Sequence, residues 1–435
     1  MKKFLVSLLV LAMCFSLFAG GSSESSDGVV ELTFWDNNGS PIRTAIFEHL
    51  IEVFEAENPD IKINFVPVPN GEAKSKYSLS IQSHTAPDCG IITETWMSEF
   101  IVQNALVDLQ PYLDEWEGTQ YILPHILKSI RSMDPLGRTF GLSFSQTLPA
   151  IWINTQIYRE AGLDMPTTWD EVFEDAYVLT DRSKGKYGFT MRGGRGSSQQ
   201  LEQMLYSYSG IPEAFDENGK STINAPEHVE FLEKFAALYN VATSEGDITN
   251  GSGEIISAFD SGSAAILFHN LGSFGQHRDT LGIENFDAIT AINSVAGYPV
   301  LVSNGATDCV IFKDSKHQDE AFRWISFVAS QYASSYFNDV IGQVPGNRLS
   351  LSDPWVDNSP QMKQVAEALI NDEATVVTLP FNVTGWSDLH NNVLEKGFQE
   401  VLLGMTSAQD YLDNWANSLT QLKSEYDTYM KSLVK

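Results

Sequence analysis

The sequence has 435 residues, and its 56 Asp and Glu residues against 27 Lys and Arg residues give a formal net charge of −29. Nucleic-acid binding needs a cationic surface that displaces counterions from phosphates, so this charge argues strongly against a nucleic-acid partner. The length exceeds that of most single domains, and we expect two lobes.

The first 21 residues have the composition of an export signal, with two lysines, an apolar run over residues 4–18 and small residues after it. The run is too short to span a bilayer, so we expect residues 1–21 to be removed and residues 22–28 to form a flexible tether. Cys14 follows Met13, where a lipoprotein signal needs a small residue, which leaves a lipid anchor open. The predicted location is periplasmic, or otherwise outside the cytoplasmic membrane.

The order of the predicted elements indicates the α/β class. Residues 30–34 alternate as in a strand, Ser40-Pro41 begins a helix, and residues 61–65 alternate again, which makes a βαβ unit. A helix over residues 74–84 and a short strand over residues 89–92 continue the pattern. Strands that alternate with helices predict a sheet rich in parallel strands.

A second α/β region follows the segment 140–153. Thr168 and Glu171 have the spacing of a capping box and predict a helix start. Another helix is expected over residues 224–240, with Asn224 as its cap. Two further strands are predicted at residues 186–191 and 264–268.

Polar residues follow several predicted strands, which is where ligands bind in open α/β sheets. They are Trp35, Asp36, Asn37 and Asn38 after the first strand, Glu94 and Trp96 after the third, Arg192 and Arg195 after strand 186–191, and His269 and Asn270 after strand 264–268. Trp35, Trp96 and Trp386 all lie beside polar residues rather than within apolar stripes. Aromatic platforms with planar polar side chains are typical of sugar binding, so this pattern favours a carbohydrate ligand.

The stretch "MRGGRGSS" places Arg192 and Arg195 in a glycine-rich turn. It lacks the Lys that follows the last Gly of a Walker loop, and its glycine order differs from the dinucleotide fingerprint, so neither nucleotide motif fits. Two alternatives stay open. The turn is either a surface turn whose arginines pair with carboxylates, or a site where the backbone approaches a ligand and two guanidiniums donate to it.

Other chemistry has little support. The histidines are not at metal-ligand spacing, so no metal and no cofactor is expected. Cys89 and Cys309 lie in apolar strand-like runs and are expected to be buried free thiols. Carboxylate pairs of glycoside hydrolases meet in space rather than in sequence, so a secreted hydrolase stays open as an alternative.

Several stretches are similar to the extracellular solute-binding proteins, family 1, of bacterial ABC-type sugar importers. They are "ELTFWDNNG", "FEAENPDIKINF", "APDCGIIT", "LVDLQPYLD", "FGLSFSQTLPAIWINTQIYREAGLDMPTTWDEV", "AFDSGSAAILF", "KDSKHQDEAFRWISFV" and "IGQVPGNR". The resemblance covers nearly the whole chain after the signal, in the family's order. Trp152-Ile153 replaces the usual aromatic pair before Asn154.

The resemblance implies a two-lobed periplasmic-binding-protein-like fold that closes on a ligand between its lobes, without catalysis. The implied first lobe is residues 29–135 and 308–349, and the second is residues 136–307 and 350–435. Helix 319–337 would return to the first lobe. The closed, liganded protein would be recognised by a membrane permease of an ABC transporter, and the chain is expected to be a monomer.

The family's cleft positions are carried over to this chain as expectations. They are Trp35, Asp36, Asn37, Asn38, Glu94, Trp96, Gln146, Thr147, Arg192, Arg195, His269, Asn270, Asn304, Gly305 and Trp386. Asp36 and Glu94 would accept hydrogen bonds from hydroxyls, and Trp96 and Trp386 would stack on sugar faces. A neutral mono- or oligosaccharide or polyol is favoured, with an anionic sugar such as a uronate or glycerol phosphate as the alternative.

Overall fold

The computed structural model describes residues 28–134, 136–303, 305–370 and 374–433. The predicted export signal, and all of the predicted tether except Gly28, lie outside the described residues.

The described residues form strands in three sheets. The strands are β1 (Val30–Asp36), β2 (Ile61–Pro67), β3 (Cys89–Thr93), β4 (Leu142–Gln146), β5 (Pro149–Asn154), β6 (Tyr187–Thr190), β7 (Ala264–Asn270), β8 (Phe286–Ile289), β9 (Ile292–Asn293), β10 (Pro299–Ser303), β11 (Ala306–Ile311), β12 (Val344–Pro345) and β13 (Thr375–Thr378).

Helices separate most of these strands. They are α1 (Pro41–Glu57), α2 (Asn70–Gln82), α3 (Glu94–Val102), α4 (Gln110–Glu115), α5 (Pro124–Ser132), α6 (Thr155–Ala161), α7 (Trp169–Val178), α8 (Ser197–Ser209), α9 (Pro226–Ala237), α10 (Ser252–Asp260), α11 (Phe274–Leu281), α12 (Gln318–Val328), α13 (Gln331–Ile341), α14 (Pro354–Asp357), α15 (Pro360–Ile370), α16 (Trp386–Leu389), α17 (Glu395–Leu402) and α18 (Ala408–Leu433). One π-helical turn, His390–Leu394, joins α16 to α17.

The first lobe is built on a six-stranded sheet with the order β12-β4-β11-β3-β1-β2. β1 is parallel to β2 and β3, as the alternation of strands with helices predicts, whereas β11 is antiparallel to β3 and β4. Phe34 of β1 packs edge to face against Phe47 of α1 and Trp324 of α12. These buried rings anchor both helices on one face of the sheet.

The second lobe contains a four-stranded sheet, β6-β7-β5-β8, and a three-stranded sheet, β13-β10-β9. Thr168 and Glu171 form the predicted capping box at the start of α7. Trp169 of α7 lies edge to face on Phe231 of α9 and near Phe268 of β7, which fixes both helices against the sheet.

Two short segments connect the sheets of the two lobes. β4 of the six-stranded sheet leads into β5 of the four-stranded sheet through Thr147 and Leu148, and β10 leads into β11 through residues 304–305. The sequence assigned residues 136–146 to the second lobe, but β4 pairs with β11 and β12. The first crossing therefore lies about ten residues later than expected, because β4 fills the position between these two strands.

Two local expectations differ from the structure. The helix expected over residues 319–337 is divided into α12 and α13, because the side chain of Ser330 accepts a hydrogen bond from the N–H of Ala333 and starts a new helix. Asn224 does not cap α9, which begins at Pro226. Its side-chain amide instead donates to Asp413 Oδ1 of α18 at 2.6 Å, a partner that local sequence cannot reveal.

Cys89 and Cys309 are both buried free thiols, as expected. They lie on the neighbouring strands β3 and β11, and burial raises the pKa of both thiols well above the usual range. Within the described ranges, no helix is long and apolar enough to cross a membrane.

Candidate functional site

The ends of the strands form two edges that adjoin at the crossing segments. In the first lobe β1, β3 and β4 end where β11 and β12 begin, since Ala306 and Val344 both pair with Gln146. In the second lobe β6 and β7 end where β5 begins, since Pro149 pairs with Asn270. Only two residues separate β4 from β5. The two edges therefore adjoin at the crossings.

These edges carry many buried polar atoms without a hydrogen-bond partner in the described protein. Of fifteen such side-chain atoms, eight lie on residues at or next to the two edges. They are Glu94 Oε1, Gln146 Nε2, both carboxylate oxygens of Asp308, Thr190 Oγ1, Arg192 Nε, Ser197 Oγ and His269 Nδ1. Buried polar groups are normally paired, so this concentration marks surfaces on which a polar ligand would supply the missing partners.

Asp36 does not have the free carboxylate that the sequence led us to expect. Arg43 Nε donates to Asp36 Oδ2 at 2.9 Å and Arg43 Nη2 donates to Oδ1 at 2.5 Å. The N–H of Asn38 also donates to Oδ1 at 3.3 Å. Asp36 thus has a structural role at the end of β1. Asn37 is buried with no side-chain partner among the described residues, and Asn38 is exposed.

Glu94 begins α3 at the end of β3 and is buried beside a second carboxyl group, that of Asp308 in β11. Burial raises the pKa of Glu94 to about 7, against the opposing effects of the Ala306 N–H and the Ser129 hydroxyl. Burial and the nearby Glu94 charge raise the pKa of Asp308 well above its usual range. The pair therefore retains a proton in the region of neutral pH, so Glu94 can donate as well as accept hydrogen bonds.

Trp35 and Trp96 both lie next to Tyr77 in the first lobe. The Tyr77 ring is 5.2 Å from that of Trp35 and 6.3 Å from that of Trp96. Lys76 Nζ lies 4.2 Å from the centre of the Trp35 ring. Both tryptophans are half-buried, so part of each ring is open to solvent.

Gln146 ends β4 at the first crossing and is held by a residue that the sequence did not single out. Its Oε1 is 2.9 Å from His125 Nε2, while its Nε2 is buried without a partner. The N–H of Thr147 donates to the carbonyl of Gly305 at 3.3 Å, which ties the two crossings together. Asn304 lies outside the described residues. Gly305 has a φ of +85° and lies against Glu94 and Phe381.

The second lobe places Arg192 and His269 at the ends of the neighbouring strands β6 and β7. Thr190 pairs with Leu267, so continuing this parallel register by two residues brings Arg192 beside His269. His269 Nε2 lies 2.8 Å from Ser252 Oγ. Burial, with the positive charge of Arg192 as a smaller cause, lowers the pKa of His269 to about 4, so the ring is neutral at neutral pH.

The remaining residues expected in the second lobe differ in their surroundings. Arg195 is exposed, and Asn270 accepts a hydrogen bond from the N–H of Gly272 at 3.0 Å. Trp386 is not the stacking platform that was expected. Its ring is 2 % exposed, is enclosed by Phe381 and His390, and donates from Nε1 to Glu202 at 3.2 Å.

Sequence reasoning missed three residues that shape these edges: Arg43, His125 and Asp308. Arg43 lies in a helix and has no local pattern that joins it to Asp36. Asp308 is a single acid inside the apolar run "ATDCVI", and this isolated charge is the local sequence signal that marks it. No group of three or more His, Cys, Asp or Glu side chains in the described segments is arranged to hold a metal ion.

A model of the bacterial extracellular solute-binding proteins matches residues 38–332, more than half of the chain. The chain belongs to this family. This solute-binding protein is 24% identical over 371 residues to a putative binding protein of Brucella abortus. The aligned residues are 82% of this chain and 85% of the relative. It is 26% identical over 342 residues to the arabinooligosaccharide-binding protein of Bacillus subtilis, across 75% of this chain and 76% of the relative.

The fold of this solute-binding protein is also found in solved structures. The GacH receptor of Streptomyces glaucescens, whose structures include a complex with acarbose, matches it with a TM-score of 0.76 and 21% identity, over 91% of this chain and 99% of the receptor. The two-lobed α/β fold expected from the sequence is therefore confirmed.

Proposed function

We propose that this solute-binding protein captures a carbohydrate, either a mono- or oligosaccharide or a polyol, between the two edges. It then closes around the crossings and delivers the ligand to the permease of an ABC transporter. The protein acts as a monomer outside the cytoplasmic membrane and catalyses no reaction. The observation that carries the proposal is the set of unpartnered polar atoms at the two edges.

The donors and acceptors at these edges suit hydroxyl groups. Gln146 Nε2 and Arg192 Nε are donors, and Glu94 in a proton-sharing pair with Asp308 can donate or accept. A sugar hydroxyl also donates and accepts, so it can satisfy each of these atoms without a change in its own charge. The half-buried rings of Trp35 and Trp96 offer apolar surface for the C–H faces of a sugar.

The names of the relatives are consistent with this ligand class. One relative is named for arabinooligosaccharides, and one structural neighbour was solved with acarbose. Binding of an oligosaccharide between two lobes requires the lobes to move apart and together. Short crossings such as Thr147-Leu148 provide few residues through which that motion can occur.

A thermal-shift screen of monosaccharides, oligosaccharides and polyols tests the proposal, because a ligand that binds only the native state raises the melting temperature. At least one carbohydrate should raise it in a saturable way with one ligand per chain. If none does while an unrelated class such as amino acids or peptides does, the carbohydrate proposal is wrong.

A second assay separates binding from hydrolysis. If the protein hydrolysed glycosides, the two carboxyl groups that the reaction needs would be those of Glu94 and Asp308, which are buried together. The purified protein is incubated with the oligosaccharides that bind, and reducing ends are measured over time. Release in proportion to protein, lost in Glu94→Gln, would show a hydrolase instead of a binding protein.

A further inference from the structure

The N-terminus of α8 lies at the edge of the second lobe, directly after the glycine-rich turn. The helix has 13 residues, its cap Gly196 offers no side chain, and its first turn contains no acidic residue. The N–H groups of Ser197 and Gln200 donate to the turn at 3.0 and 3.3 Å. Those of Ser198 and Gln199 have no acceptor within the described residues. Free N–H groups at the start of a helix create a positive potential.

Two buried side chains at this helix start also lack partners. Ser197, the first residue of α8, is 1 % exposed, and its Oγ has no hydrogen-bond partner in the described protein. Arg192 is largely buried, and its Nε is likewise unpartnered. The guanidinium lies against Gly196, since a β-carbon at that glycine would overlap Arg192 Nη2. The Arg192 guanidinium therefore lies next to the N-terminus of α8.

His269 adds a third unpartnered polar atom. Its Nε2 is bound to the Ser252 hydroxyl at 2.8 Å, and its Nδ1 is buried without a partner. When Nε2 accepts the Ser252 proton, the neutral ring carries its own proton on Nδ1 and is a donor there. Arg192 Nε, His269 Nδ1 and the Ser197 hydroxyl can then all donate hydrogen bonds.

The charges nearby leave Arg192 without a carboxylate partner. Glu254 and Glu395 interact electrostatically with Arg192, but neither forms an ion pair with it among the described residues. Arg195, three residues further along the turn, adds a second positive charge and is exposed. A buried guanidinium without a counter-charge is costly, and an oxyanion held in a forked geometry would offset that cost.

We propose that Arg192, Ser197 and the N-terminus of α8 form a subsite for an anionic group of the ligand, a carboxylate or a phosphate ester. The guanidinium would hold two oxygens of the group, and the Ser197 hydroxyl and the free N–H groups would donate to the others. This inference rests on the proposed carbohydrate function and specifies its ligand as a uronate or a sugar phosphate. It reverses the preference for a neutral sugar that the sequence suggested.

The test measures melting temperature with matched ligand pairs: D-glucuronate against D-glucose, D-galacturonate against D-galactose, and glucose 6-phosphate against glucose. Inorganic phosphate against chloride at equal ionic strength tests the subsite without any sugar. The variants are Arg192→Gln and Ser197→Ala, and the control is Arg182→Gln. Arg182 precedes β6, at the opposite end of the strand, and its Nη2 donates to Asn240 Oδ1 at 3.0 Å.

The wild type and Arg182→Gln should be stabilised more by phosphate than by chloride, and more by at least one anionic sugar than by its neutral parent. Arg192→Gln should weaken the binding of each such anion by about tenfold or more and erase the difference. Ser197→Ala should weaken it several-fold without lowering the melting temperature of the free protein, because the hydroxyl has no partner to lose.

The carboxylate and phosphate arms identify which anion the subsite prefers. If neutral sugars bind and no anion does, or if Arg192→Gln binds anions as well as the wild type, the subsite is refuted and the carbohydrate function stands. If phosphate binds through Arg192 and no sugar of any charge does, the subsite stands and the carbohydrate function is refuted.

Discussion

Arg43, in the first turn of α1, holds the carboxylate of Asp36 at the end of β1 with a forked pair of hydrogen bonds, 2.9 Å from Nε and 2.5 Å from Nη2. Asp36 is fully buried and Arg43 is 6 % exposed. The pair fixes the loop that carries Asn37, whose buried side chain has no hydrogen-bond partner among the described residues. Asp36 thus shapes the first edge, and both of its carboxylate oxygens already accept hydrogen bonds within the protein.

Loss of Arg43 should destabilise the protein strongly. Arg43→Met leaves the Asp36 carboxylate buried and unpaired, and breaking a buried pair in this way costs about 3–5 kcal/mol. The free energy of unfolding from urea denaturation measures the loss. In the control, Arg323→Met removes an exposed ion pair with Asp60, 2.7 Å long, and should cost far less, because solvent screens the pair. Equal losses in the two variants would contradict the role assigned to Arg43.

Sequence predicted the strand ends well and the partners of their side chains poorly. Trp35 and His269 are the second-last residues of β1 and β7, Glu94 and Arg192 come just after β3 and β6, and all four lie at or next to the two edges. The partners come from distant parts of the chain. Trp386 looked like a platform beside polar residues, but its polar partner is Glu202, 184 residues earlier and on α8. No local pattern encodes a contact of that kind.

The divided helix over residues 319–337 has a similar cause. The apolar spacing of α12 and α13 is nearly continuous, so the pattern predicts one helix. The Ser330 side chain caps α13, and the break lets Trp324 pack on β1 while Phe337 packs on Phe144 of β4. Periodicity therefore identified the helical segments, and tertiary packing decided where one ends.

Stability should fall with rising pH because of Glu94. Its pKa is about 7 in the folded state and about 4.3 in an unfolded chain, so the folded state binds more protons between these values. The stabilisation of the folded state by protonated Glu94 is fully present below about pH 4 and is lost as the pH rises through 7. Glu94→Gln should flatten this dependence and be more stable than the wild type at pH values above 7.

The measurement is the free energy of unfolding in urea at several pH values between 5 and 9. Asp308→Asn should change the profile in the same direction, because the pKa of Asp308 is also raised by burial and by Glu94. Glu57→Gln, at an exposed position at the end of α1, serves as the control and should leave the profile unchanged. A Glu94→Gln profile that matches the wild type would refute the proton-sharing pair.

The substitution of Phe for Trp386 and for Trp96 should distinguish a tryptophan that stabilises the core from one that contacts the ligand. Trp386→Phe removes the Nε1–H donor to buried Glu202 and should lower the free energy of unfolding by about 1–3 kcal/mol, with unchanged affinity per folded molecule. Trp96→Phe should change stability by less than about 1 kcal/mol, since the ring is half-buried, but weaken carbohydrate binding several-fold. Circular dichroism and titration calorimetry measure the two effects, and the reverse pattern would overturn both assignments.

Gly305 at the second crossing should not tolerate a side chain. Its φ of +85° costs an L residue about 1–2 kcal/mol, and a β-carbon would lie 3.3 Å from both Glu94 Oε2 and the Phe381 ring. Gly404→Ala is the matched control, with a φ of +67° and open space around the added carbon. Gly305→Ala should lose more stability than Gly404→Ala and should also weaken ligand binding, as the crossing lies between the two edges. Equal effects on stability and no effect on binding would exclude a role for the contact.

Gln146 should contribute to affinity through its unpartnered Nε2, whereas its Oε1 is already engaged by His125 at 2.9 Å. Gln146→Leu should weaken carbohydrate binding by about tenfold, because the ligand hydroxyl that Nε2 would bind loses its donor on desolvation. His125→Phe removes the partner of Oε1 and leaves Nε2 in place. Burial lowers the pKa of His125, so the ring is neutral and the change removes no charge near neutral pH. It should cost less affinity than Gln146→Leu in titration calorimetry. If His125→Phe costs more, the imidazole is the group that meets the ligand, and Gln146 only positions it.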